Sequence, residues 1–152
     1  MRYPASFVLL ALVWLAQASP GLAADQPFKV LSTSKVKGQV EAGVSEARDA
    51  KTLTELWSRL GLEGPAPKVD FKERMVVAWV GGGSACDKYV LTHVRETEGN
   101  VVLEVNRVRP APGHMCIMIF SPSAIVASVP RTNKPHEASI SGGAPAAVNP
   151  NR

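Results

Sequence analysis

His114-Met115-Cys116 is the one place in this sequence where three metal-competent side chains stand side by side. Imidazole, thioether and thiolate together suit copper, and a thiolate suits zinc. Further ligands would have to come from Met118, Cys86 or His93. Cys116 has a competing use. The chain has 2 cysteines, Cys86 and Cys116, and an even count in an exported polypeptide reads as one disulfide. A bonded sulfur cannot serve as a thiolate ligand. The closed loop would hold about 30 residues, and in the chain-entropy treatment such a bridge stabilises by roughly 3–4 kcal/mol. That is a large share of the about 5–15 kcal/mol that holds a small domain together. The expectation is therefore a Cys86–Cys116 disulfide. The alternative is a periplasmic metal (copper or zinc) or redox protein using Cys86, His114, Met115 and Cys116. The spacing forms no Cys-x-x-Cys motif, which argues against the redox form.

Other chemistry-bearing stretches read as architecture. Gly81-Gly82-Gly83-Ser84 lacks both the following helix and the Gly-Lys-Ser/Thr ending of a phosphate loop. It is expected to be a flexible turn after a central strand. The histidines are His93, His114 and His136, and no Gly-x-Ser-x-Gly nucleophile elbow accompanies them. His93 falls on an alternating strand, on the expected face of Tyr89 and Leu91, as a half-buried sheet residue. Asp70, in Val69-Asp70-Phe71, is placed to cap a turn by accepting backbone amides. No catalytic residue set and no cofactor motif emerges.

The elements that must position these residues are mostly strands. Met75-Val76-Val77-Ala78-Trp79-Val80 is apolar at every position, so this strand is buried on both faces in the middle of a sheet. Tyr89–Thr97 and Val101–Val108 follow, joined by the hairpin signal Glu98-Gly99-Asn100. In the second of them Val101, Leu103 and Val105 face one way while Glu104 and Asn106 face the other, which leaves one wet face. Arg109-Pro110-Ala111-Pro112-Gly113 interrupts the sheet. Ile117–Phe120 and Ala124–Val129 read as two further strands separated by Ser121-Pro122-Ser123. His136–Ile140 reads as a short edge strand. Towards the start, Phe28–Leu31 and Val40–Val44 are β-like, with Lys35–Gly38 as a turn between them.

One helix is expected. Leu53, Leu56, Trp57 and Leu60 recur at i, i+3, i+4 and i+7 and form one apolar stripe. Thr52 and Glu55 fit a capping box, with Asp49 as an alternative cap one turn earlier. Gly61 suits the left-handed position that ends a helix. Trp57 is its core anchor. Strands segregated from a single helix give the α+β class: a mostly antiparallel β-sheet or sandwich-like domain with one short helix.

The beginning of the chain has an export pattern. Arg2 precedes the apolar run Phe7–Ala16, and small residues lead to Gly21-Leu22-Ala23-Ala24 before Asp25. The run is about ten residues against the roughly 20 that a spanning helix needs. Residues 1–24 are thus expected to be a signal peptide cleaved near Ala24, with no transmembrane segment in the mature form. No cysteine stands at the cleavage region, which argues against a lipid anchor. Residues 25–140 form one β-rich domain, and 141–152 a tail too poor in apolar residues to order itself. The chain of 152 residues has a formal net charge of +4 at pH 7. That mild excess is spread out and contains no Lys/Arg block, so nucleic acid is a poor partner.

Several motifs then fall into a familiar order. The helix ending Leu56-Trp57 and Leu60 is followed by a Pro-containing link, Val69-Asp70-Phe71, the strand Met75–Ala78, a Gly-rich turn and a Tyr-led strand from Tyr89. Pro110-Ala111-Pro112-Gly113, Ser121-Pro122 and a strand closing on Val129-Pro130-Arg131 complete it. Over roughly residues 38–131 this resembles the C-terminal domain of the protease-complex subunit PrcB family. The resemblance implies an exported, non-catalytic accessory domain that associates with and stabilises a protease or other envelope protein, periplasmic or secreted. It also makes Trp57, Asp70, Phe71, Trp79 and Tyr89 structural. The chain departs from the pattern at Ser84-Ala85-Cys86-Asp87-Lys88-Tyr89, where a Thr-Gly-Gly-Tyr-like stretch is expected, and again at Cys116. Both departures are cysteines, as a staple across two neighbouring loops would require.

Overall fold

A computed structural model describes residues 23–37, 40–117 and 119–142 of the chain. The expected signal peptide, apart from its last two residues, lies outside the described residues, as do Gly38, Met118 and residues 143–152. The elements are β1 Ala24–Asp25, β2 Lys29–Lys35, β3 Gly43–Ala47, α1 Ala50–Arg59, β4 Arg74–Ser84, β5 Lys88–Glu96, β6 Val101–Val108, β7 Phe120–Pro130 and β8 His136–Ser141.

The strands form two four-stranded sheets, ordered β1-β5-β6-β8 and β2-β7-β4-β3. Every pairing is antiparallel except β6 with β8, which is parallel. The fold is thus a mostly antiparallel, sandwich-like α+β domain with one short helix. β4 lies inside its sheet, between β7 and β3, and its unbroken apolar run has two destinations. Met75, Val77 and Trp79 point between the sheets, where they meet Ile125, Ala127 and Val129 of β7 together with Tyr89, Leu91, Leu103 and Val105 of the other sheet. Val76, Ala78 and Val80 point the opposite way, with Ala124 and Val126, against Leu53, Leu56, Trp57 and Leu60. Period-two alternation therefore feeds two cores from one strand. Phe71 and Val69 pack at the margin of the helix-side core.

The helix begins one turn earlier than a Thr52–Glu55 box would place it. Asp49 is the N-cap: its carboxylate accepts from Thr52 N at 2.8 Å, and Asp49 N donates to Thr52 Oγ1 at 3.3 Å. The earlier start lets Leu53 N reach Asp49 O at 3.0 Å, so the first buried residue of the stripe already sits in a closed turn. At the other end Gly61 takes φ +64° and Leu62 N donates to Trp57 O at 3.2 Å, which closes the last carbonyls.

Further boundaries differ from the sequence reading: the β-like piece expected over Val40–Val44 is β3, Gly43–Ala47. Gly81–Ser84 is the end of β4 and pairs with Ser123–Phe120. Ser121-Pro122-Ser123 lies within β7, so the two expected strands are one from Phe120 onward. Proline is tolerated there because its carbonyl accepts from Val36 N at 2.9 Å, just past the last residue of β2. The imino nitrogen then owes no bond to β4. Lys35 is the last residue of β2 and not part of a turn. Ser141 belongs to β8, opposite Asn106, so the strand reaches one residue into the expected tail.

Candidate functional site

One end of the sandwich gathers most of the residues that could act on another molecule. The end of β4, the start of β5, the end of β6 and the start of β7 all arrive there. The chain makes two excursions from it: the turn Ala85–Asp87 and the long loop Arg109–Ile119.

The glycines of β4 permit this convergence. A side-chain carbon at Gly82 would collide with the Phe120 ring, and one at Gly83 with the Tyr89 hydroxyl and the Asp87 carboxylate. Tyr89 instead donates its hydroxyl proton to Gly82 O at 2.9 Å. Its ring packs on Trp79 with centroids 5.0 Å apart. Burial pushes the Tyr89 phenol up, so it stays a protonated donor.

Asp87, only 3 % exposed, organises the turn. Its Oδ2 accepts from Ser84 N at 2.7 Å and from an Arg107 terminal nitrogen at 2.6 Å. The Arg107 hydrogen bond outweighs the opposing cost of burial, and together with Ser84 N it holds the Asp87 carboxyl below its usual range. The same contact raises the already high Arg107 value. A buried carboxylate held by a guanidinium and a backbone amide in this way fixes the geometry of the turn, and its lowered pKa makes it a weak base.

Cys86 and Cys116 are disulfide-bonded, with Cα atoms 5.9 Å apart. The bond ties the long loop to the Ala85–Asp87 turn, and Ala85 N adds a hydrogen bond to Ile119 O at 3.0 Å. Among the described residues none of Arg109–Phe120 belongs to either core cluster. The loop instead turns its apolar side chains outward: Met115 is 97 %, Ile117 71 %, Ile119 58 % and Phe120 74 % exposed. Exposed apolar side chains so close together in the chain are uncommon away from surfaces at which proteins associate.

The expected site residues separate into four places. Cys86, Tyr89, His114, Met115 and Cys116 meet at the disulfide end. Trp79 is buried between the sheets, while Trp57 lies on the helix side. Asp70 is at the approach to β4, where its carboxylate accepts from Lys72 N at 3.0 Å. His114 and Met115 are both exposed, and the bonded sulfur of Cys116 offers no thiolate beside them. Among the described residues no group of three or more His, Cys, Asp and Glu side chains is arranged to hold a metal ion. His93 is not on the face of Tyr89 and Leu91. The β5–β6 register shifts between Leu91 and His93, which turns His93 to the exposed side, with Nδ1 3.7 Å from Asp25 Oδ1.

Two pairs carry no clear sequence signal. Asp87 and Arg107 are far apart in the chain and meet because β5 and β6 are neighbours. His136 and Glu46 meet across the two sheets, Nδ1 to Oε1 at 2.6 Å, with the His136 side chain fully buried. Burial works to raise the Glu46 value, but hydrogen bonds from His136 and Arg48 outweigh it and hold the carboxyl below its usual range. The pair clamps β3 to β8. Among the described residues no serine, threonine or cysteine side chain hydrogen-bonds to a histidine.

No helix among the described residues is long and apolar enough to cross a membrane. The disulfide fits a chain that works in an oxidising compartment, outside the cytosol. Comparison of the chain with protein-family models, curated proteins and solved structures gives no match.

Proposed function

We propose that this chain is an exported, non-catalytic accessory domain that binds another protein of the cell envelope, or a secreted one, and stabilises it. The resemblance to the PrcB family makes a protease the favoured partner class. The export pattern before Asp25 and the disulfide support a periplasmic or secreted location after cleavage near Ala24.

The observation that carries the reading is the apolar row Met115, Ile117, Ile119 and Phe120, held away from both cores on a covalently anchored loop. Exposing such side chains works against solubility, and association is the usual compensation. Anchoring limits the conformational freedom lost when the loop binds. A double variant, Ile117→Ser with Phe120→Ser, tests this. The tagged mature domain is expressed in its native host, and the proteins co-purifying with it are identified. The expected result is one specific envelope or secreted protein retained by the wild type and lost by the variant. The same partner should lose half-life in cells lacking the domain. Equal retention by both forms would remove the loop from the contact, and no specific partner at any salt would end the accessory reading.

A further inference from the structure

β5 has one open edge. β6 pairs along its whole length on one side. On the other side β1 covers only Arg95 and Glu96, and Gln26 N reaches Val94 O at 2.7 Å. Lys88–His93 therefore have no strand neighbour on that side among the described residues. β2, the edge strand of the facing sheet, pairs among the described residues with β7 alone. Between these edges runs an apolar slot of about 520 Å³, walled by Val30 and Thr33 from β2 and by Tyr89 and Leu91 from β5. Lys35, Asp87 and Lys88 also line a second cleft of about 530 Å³, which lies between the disulfide-bonded turn and the Arg109–His114 loop. The two clefts thus adjoin at Lys35, Asp87 and Lys88, and the second extends to His114, the chain neighbour of Met115; together they make a groove along this edge.

The rim of that groove is cationic. Lys35, Lys88 and Arg109 line it, and Lys35 is held over it by a 3.2 Å hydrogen bond to Asp87 O. The acid among the lining residues, Asp87, is already neutralised by Arg107.

We infer that this groove receives an extended acidic segment of the partner protein, which adds as a strand along Lys88–His93. Its apolar side chains enter the slot, and its carboxylates meet Lys35, Lys88 and Arg109. Unpaired strand edges bind extended chains through main-chain hydrogen bonds, and alternating pockets select the side chains. The charges choose between occupants. A second copy pairing through these edges would add its own Lys29, Lys35 and Lys88 to the same cationic edge. Edge lysines disfavour such self-pairing and attract an acidic strand. The inference rests on the accessory-domain reading and adds the chemistry of its partner.

The test uses a short fluorescein-labelled peptide of alternating Glu and Val, and its counterpart with Lys in place of Glu, read by fluorescence anisotropy against the mature domain. The acidic peptide should bind saturably and the basic one should not. The Lys35→Glu/Lys88→Glu variant should bind the acidic peptide more weakly, by roughly tenfold or more, while melting like the wild type. Amide resonances of Lys88–His93 should shift on binding the unaltered domain, a readout that needs no variant. Equal affinity for both peptides, undiminished binding by the variant, or shifts confined to β3 and β8 would overturn the inference. So would edge-to-edge self-association through β2 and β5. If the peptide fails to bind while a specific partner still co-purifies through the Ile117/Phe120 row, the groove proposal falls and the accessory reading stands.

Discussion

Along β4, Met75–Val80 and Gly81–Ser84 are continuous in hydrogen bonding but opposite in design. The first half buries a side chain at every position, alternately between the sheets and under α1. The second half has almost no side chain, so that Phe120, Tyr89 and Asp87 can approach its backbone. Beyond the first half lies a core that excludes water. Beyond the second lies a loop that shows its apolar residues to the solvent, held by a disulfide, one buried ion pair and a few backbone hydrogen bonds. The contrast teaches that one strand can provide stability at one end and hold out an exposed apolar loop at the other, provided covalent and ionic ties replace packing where packing stops.

The largest expected effect lies in the packed half. Trp79→Ala removes a fully enclosed ring that touches Tyr89. It should cost about 3–5 kcal/mol in denaturant unfolding. A loss below about 1 kcal/mol would mean that the packed half is not the stability centre supposed here.

Next comes the covalent tie. Cys86→Ser should cost about 2–4 kcal/mol and lower the melting temperature by several degrees or more. Intact mass without reductant should show the wild type about 2 Da lighter than its reduced form, with no titratable thiol. An unchanged melt would break the claim that the disulfide replaces packing at this end.

The ionic tie should matter less. Asp87→Asn leaves Arg107 without its carboxylate and should cost about 1–3 kcal/mol near neutral pH. Its pH dependence has a definite sign. Because the folded pKa is depressed, the unfolded chain binds the proton more readily. The stabilisation is complete above the unfolded carboxyl value of about 3.9 and is lost as pH falls below that and through the folded value. The Asn variant should therefore show a shallower acid limb. Identical limbs would assign the acid sensitivity to other carboxylates, such as Glu46.

The smallest stability effect belongs to the exposed row. Ile117→Ser should move unfolding by no more than about 0.5 kcal/mol while weakening partner retention. A large destabilisation would show that the loop is packed after all, and would collapse the distinction between the two halves.

Much of this architecture was legible residue by residue. The unbroken run Met75–Val80 demanded a strand with two buried faces. The Leu53, Leu56, Trp57 and Leu60 stripe demanded a helix to cover one of them. The Val101, Leu103 and Val105 alternation marked a strand with one wet face, and two cysteines in a chain with an export pattern pointed to a bridge. Where the reading failed, the deciding contact was distant. Gly81–Ser84 looks like a turn by composition, because glycine is a poor strand former alone. The pairing with Phe120–Ser123 overrides that preference. Pro122 looks like a strand break until its nitrogen is seen to face the end of β2. The bulge that turns His93 outward has no local marker, and the cap moved to Asp49 because two capping residues stood one turn apart.

By itself, then, the order of residues determined the local periods, the helix, the strand-rich class and the pairing of the sulfurs. These depend on neighbours within a few positions, or on there being no other partner to choose. Tertiary structure alone decided that Asp87 meets Arg107 and that His136 meets Glu46. Among the described residues it also left the edges of β2 and β5 open beside a cationic rim, and it turned Met115, Ile117, Ile119 and Phe120 outward. Those outcomes depend on which strands become neighbours. Strand order is set by the joint burial of both cores, a property of the whole chain that no window of sequence contains.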